Sequence, residues 1–138
     1  MTSLIKKFKT DSGKENNGVA IEYEANDDGT VPTIWVRRVG CTEHTKVQNR
    51  LFAPFRTHQR LKVIPAETNT QILRDAFAIG CISKWENVQN ENGEPIPFND
   101  ESVCATLASL PDLYYDLTAK ASDIDNYKAD SLEVIAKN

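Results

Sequence analysis

Pro95 and Pro97, two residues apart, constrain the fold more than any other feature of this chain. Proline fixes φ and lacks a backbone donor, so neither a helix nor a central strand can run through 95–97. Just before them, Asn92-Gly93 favours a tight turn with positive φ. The stretch 85–98 is therefore expected to be a polar connector between helical segments. Trp85, Val88, Ile96 and Phe98 are its apolar residues, and Trp85 and Phe98 are expected to be largely buried as its anchors.

On either side of the connector the apolar residues repeat at helical spacing. Upstream, 67–84 reads as one long helix, with Ile72, Ala76, Phe77, Ile79, Gly80 and Ile82 in a wide stripe and Leu73 at its edge. Gly80 inside it is about 1 kcal/mol worse than alanine, which points to close packing against a neighbour. Downstream, Asn99 or Asp100 caps a helix over 101–109, with Val103, Leu107 and Leu110 on its apolar side. Pro111 and Asp112 suit the first turn of the next helix, which carries Leu113, Leu117 and Ala121 on one face. A last helix would hold Tyr127, Leu132 and Ile135.

Strand alternation is confined to 19–38. Val19, Ile21 and Tyr23 share one face, residues 26–29 turn, and Thr33 to Arg37 return as a second strand. A hairpin alone is marginal and must pack on helices or on another chain. Thr42 is placed to cap a helix over 43–53 that Pro54 stops, and 55–64 reads as irregular or extended. Residues 1–17 read as a flexible arm, in which Leu4, Ile5 and Phe8 could form one helical turn that docks on a partner. The expected fold is α+β and predominantly helical. It comprises an arm at 1–17, then one helix-rich domain at 18–138 with an N-terminal β-hairpin and four to five helices.

Charge is unevenly distributed along the chain. Arg37, Arg38, Lys46, Arg50, Arg56, Arg60 and Lys62 form a basic middle opposed only by Glu43, whereas 86–138 holds eleven acidic residues and three lysines. Few aromatics accompany the basic residues and no recognition-module pattern is present, so they read as a solvated face and not as a nucleic-acid site. Such asymmetry suits contacts between chains, including copies of this one. Cys41, Cys81 and Cys104 are odd in number and far apart, unlike a disulfide framework or a zinc site. His44 and His58 are isolated, and no phosphate loop, nucleophile elbow or calcium loop appears. No enzyme activity, cofactor, metal site or membrane span is expected, and a reducing cytoplasmic setting is.

Several of these residues also carry a family likeness. An apolar helix ends in Trp85-Glu86-Asn87-Val88. An acidic Asn92-Gly93 turn leads to Pro95-Ile96-Pro97-Phe98-Asn99. A short helix then reaches Leu110-Pro111-Asp112-Leu113, and the pattern closes on Ala136-Lys137-Asn138. Over about 76–138 this resembles the tail assembly chaperone family of long-tailed, siphovirus-type bacteriophages. Ile34 to Arg38 and the residues around 49–52 resemble it more loosely. The resemblance implies a small helical protein of the host cytoplasm that binds the tape measure protein and keeps it soluble while tail tube subunits polymerise. Such a protein would be absent from the mature virion. The implied client groove lies between the helix before Trp85 and the helices after Asn99. The shared positions Trp85, Val88, Gly93, Ile96, Phe98, Leu110, Pro111 and Leu113 are partner-binding or fold determinants on this reading. A tail or head–tail structural subunit and a small nucleic-acid-binding module are the competing readings.

Overall fold

The computed structural model describes residues 3–61 and 63–129. Two short helices, α1 (Leu4–Phe8) and α2 (Ser12–Asn17), precede strands β1 (Val19–Glu22) and β2 (Thr33–Val36). Helix α3 (Thr42–Phe52) is followed by a 3-10 turn, Ala53–Phe55, and the short α4 (Arg56–Arg60). The long α5 (Ala66–Gly80) leads into β3 (Ile82–Glu86), and after the connector come α6 (Asp100–Ser109), α7 (Pro111–Ser122) and a 3-10 turn, Ile124–Asn126. The fold is α+β and mostly helical, as expected.

The expected hairpin is part of a three-stranded antiparallel sheet in the order β1-β2-β3. Its third strand corrects the helix expected over 67–84, which ends at Gly80. The physical reason lies in the register. Ile34 faces Trp85 and Trp35 faces Lys84, but Val36 faces Ile82, so the ladder is irregular at Ser83. A β-bulge of this kind lets Ile82 and Trp85, three residues apart, both turn into the core. In sequence that spacing is indistinguishable from a helical one.

Other boundaries also shift. Cys41, not Thr42, occupies the cap of α3, and its side chain makes no capping bond. Residues 55–60 are helical and not extended. Asn99 caps α6 as expected, its Oδ1 accepting from the Ser102 N–H at 2.7 Å, and Pro111 opens α7. Where a last helix was expected, Asp123 caps a 3-10 turn before Tyr127. Leu132, Ile135 and the terminal Ala136-Lys137-Asn138 lie outside the described residues, as does Lys62.

One core joins the sheet to the helices behind it. Ile21, Ile34, Val36, Phe77, Ala78, Cys81, Ile82, Trp85, Val103, Leu107, Leu117 and Ala121 form a single buried cluster. Tyr127 closes it from the side, fully buried, with its hydroxyl donating to the Val36 carbonyl at 2.9 Å. A second packing layer forms between α3 and α5. Ile72, Ala76 and Gly80 follow each other at four-residue spacing along α5, all buried. A methyl group at Gly80 would lie 2.7 Å from the His44 Cα, which is the close approach that the glycine permits.

Within the stretch expected as an arm, α2 is tied to the fold at several points. The Asp11 N–H donates to the Tyr127 carbonyl, Thr10 bridges Lys128, and Glu15 pairs with Arg38 at 2.7 Å. By contrast, α1 buries none of its residues.

Candidate functional site

The connector is a small hairpin built on its own side chains. Asn87 turns the chain out of β3 with φ 61°. The Ile96 N–H then donates to the Val88 carbonyl and the Asn90 N–H to the Glu94 carbonyl, both at 2.8 Å. Gly93 takes φ 78° at the tip, as the Asn-Gly dipeptide predicted. Asn90 organises the turn, its Oδ1 accepting from the Asn92 and Glu94 N–H groups, a role that the sequence did not reveal. Pro95 sits opposite Gln89 at the edge of the bridge, where no donor is needed.

Trp85 anchors this hairpin, 7% exposed, with its indole N–H donating to the Ile96 carbonyl at 3.1 Å. Phe98 does not share that burial. It meets Trp85 edge-on at 5.6 Å and 69° but remains 43% exposed, because it covers the outer edge of the indole and has solvent on its other side. Val88, Ile96 and Leu113 are half-buried against the core, whereas Gly93 and Pro111 are exposed. Leu110, expected on the apolar side of α6, is 49% exposed, since the helix ends at Ser109 and Leu110 turns the chain into α7.

A second turn, residues 26–30, lies alongside the connector. Asn26 Nδ2 donates to the Asn87 carbonyl, Asn87 Nδ2 to the Val31 carbonyl, and Gln89 Nε2 to Asp28 Oδ2. Between the two turns is an open cleft of about 530 Å³. Hydrogen bonds from Thr30 and Gln89 hold the Asp28 carboxyl below its ordinary value. Asp27, Asp28 and Glu91 line it, Glu24 and Glu94 lie on the same two segments, and neither 24–32 nor 85–99 contains a lysine or arginine. The fold thus makes one acidic lobe from segments about sixty residues apart in sequence.

The basic residues separate into two groups. Arg37 and Arg38 do not belong to a free basic face. The Arg37 guanidinium donates to the Asn16 and Gly80 carbonyls, and Arg38 pairs with Glu15. Lys46 and Arg50 on α3 and Arg56 and Arg60 on α4 are exposed. Among the described residues none of these four lies within 4 Å of a carboxylate. Arg56 and Arg60 border an open depression of about 710 Å³ with Gln48, Asn49 and Phe52.

The expected groove between the helix before Trp85 and those after Asn99 is filled by the chain's own core. Phe77 of α5 meets Tyr114 of α7 edge-on at 5.7 Å, and Val103, Leu107 and Leu117 are at most 1% exposed. The most exposed large apolar side chains include Leu4, Ile5 and Phe8 on α1, Leu61 and Val63 after α4, and Tyr115 on α7, with Leu73, Phe98 and Leu110 exposed to a lesser degree.

Burial pushes the Cys81 thiol well up, and burial with the neighbouring Asp75 pushes Cys104 up to about 12, so neither is a thiolate at neutral pH. The Tyr23 hydroxyl donates to Asp116 at 2.6 Å, and Lys120 meets the same carboxylate at 2.7 Å, a tie between the residue after β1 and α7. Among the described residues no three His, Cys, Asp or Glu side chains converge as metal ligands, and no helix is long and apolar enough to cross a membrane.

Residues 40–138 match a family model described as YdaY prophage protein. That description carries a prophage origin and no activity. No curated protein and no solved structure matches the chain.

Proposed function

The chain belongs to the YdaY prophage protein family, and we propose that within a prophage it is a tail assembly chaperone. It acts in the host cytoplasm, holds the tape measure protein in solution, helps to recruit tail tube subunits, and is left out of the finished particle. The observation that carries the reading is α1. Leu4 and Phe8 share one side of this helix, and they and Ile5 are 72%, 62% and 77% exposed. A helix of five residues is too short to persist on its own hydrogen bonds, and among the described residues this one has none buried. A long helical client with an apolar stripe supplies the missing contact, and Lys6, Lys7 and Lys9 give the polar rim that keeps the free protein soluble. The pattern from Trp85 to Leu113 supports the same reading through its likeness to tail assembly chaperones.

The test is co-expression with the tape measure protein of the same prophage. The soluble yield of that protein should rise and the two should co-purify. A Leu4→Asp/Phe8→Asp variant should lose the effect while keeping the wild-type melting temperature. Equal client yield with and without the chain would overturn the proposal. Finding the chain as a regular component of purified particles would replace it with the structural-subunit reading.

A further inference from the structure

We propose that copies of this chain associate head to tail, the acidic lobe of one copy docking on the α3–α4 end of the next. The inference is independent of the chaperone reading. Its first ground is that the two charged regions do not satisfy each other within the fold. The ion pairs among the described residues join Glu15 to Arg38, Asp116 to Lys120 and Asp125 to Lys128. None links the lobe of Asp27, Asp28, Glu91 and Glu94 to Lys46, Arg50, Arg56 or Arg60. Both fields therefore extend into solvent, opposite in sign.

The second ground is that each surface pairs its charge with exposed apolar groups. On the acidic side, Pro95, Pro97 and Phe98 follow directly after Glu94, and Phe98 is 43% exposed. On the basic side, where Arg56 and Arg60 border the depression, Leu61 follows Arg60 at 67% exposure and Val63 is 55% exposed. Exposed ion pairs are individually weak, so this apolar contact supplies affinity and the charges fix the register.

The third ground concerns symmetry. The surfaces are different patches of one molecule, so their contact is heterologous. Each docked copy presents a fresh acidic lobe, and assembly continues as a filament or closes as a ring.

Light scattering after size exclusion, over a range of protein and salt concentrations, tests this. Wild-type protein should form species larger than a dimer at low salt and dissociate as ionic strength rises toward 1 M, where the screening length falls to about 3 Å. Arg56→Glu/Arg60→Glu and Glu91→Lys/Glu94→Lys should each be monomeric alone. An equimolar mixture of the two should regain large species, because native lobe then meets native α4 end and reversed lobe meets reversed α4 end in alternation. Regain on mixing also excludes misfolding as the cause of the single-variant losses. A wild-type monomer at every salt and protein concentration would overturn the proposal. So would assembly that survives both variants, or assembly that appears only with added nucleic acid on the basic side.

Discussion

Helix α5 is shared by two packing regions of different construction. One side, with Phe77, Ala78 and Cys81, enters the core formed by the sheet, α6 and α7. The other, with Ile72, Ala76 and Gly80, meets α3. The first region is filled by large side chains whose polar atoms are satisfied inside it, namely Trp85 through Ile96 and Tyr127 through Val36. The second relies on closeness of backbones, with a glycine against the His44 Cα and an alanine one turn earlier. Large anchors make a region depend on single residues. Close approach makes it depend on the absence of a methyl group.

Four substitutions or conditions probe this contrast. The largest effect belongs to Trp85→Ala, which removes a buried aromatic and orphans the Ile96 carbonyl, and should cost about 3–5 kcal/mol. Chemical denaturation measures it, and an unchanged midpoint would show that the core does not rest on this anchor. Gly80→Ala comes next. Its methyl group must push α3 away from α5, and overpacking of this kind costs about 1–3 kcal/mol. A stabilised variant would mean that the α3 layer is looser than the 2.7 Å approach implies. Phe98→Ala should cost about 1 kcal/mol or less, since an edge-on aromatic pair is worth about 0.5–1.5 kcal/mol and Phe98 is half in solvent. A loss as large as that of Trp85 would place Phe98 with the anchors.

The smallest effect is a dependence on pH confined to the α3 layer. Burial lowers the His44 pKa below its ordinary value, and its Nδ1 accepts the Gly40 N–H at 2.9 Å. The unfolded chain then takes up the proton more readily than the folded one. The stability from neutral His44 is fully present above about pH 6.5, the unfolded value. It is lost as pH falls through the lower folded value. Melting temperatures between pH 8 and 5 should decline more steeply for wild type than for His44→Asn. Parallel declines would remove His44 from the account.

How much of this could be read from the sequence depends on the range of the interaction. Features with a local cause were legible. Asn99 caps α6, Pro111 opens α7, Gly93 turns with positive φ, and Leu4 and Phe8 form a helical turn. The third strand was not, because the bulge at Ser83 gave Ile82 and Trp85 the spacing of a helix. Arg37 and Arg38 read as surface charges, since nothing local shows that the Gly80 carbonyl and Glu15 lie beside them. The acidic cleft was hidden for the same reason, as Gln89 and Asp28 are 61 residues apart.

The hydroxyl of Tyr127 has a consequence for how the chain acquires this fold. Its bond to Val36 spans 91 residues, and the Asp11 N–H bonds to the same tyrosine's carbonyl. A ribosome delivers β1 and β2 long before the residue that seals the side of their core. Contacts of such long range must close a large loop before they stabilise anything, which slows folding. The sheet therefore lacks this cover, with water on the Val36 carbonyl, until Tyr127 arrives.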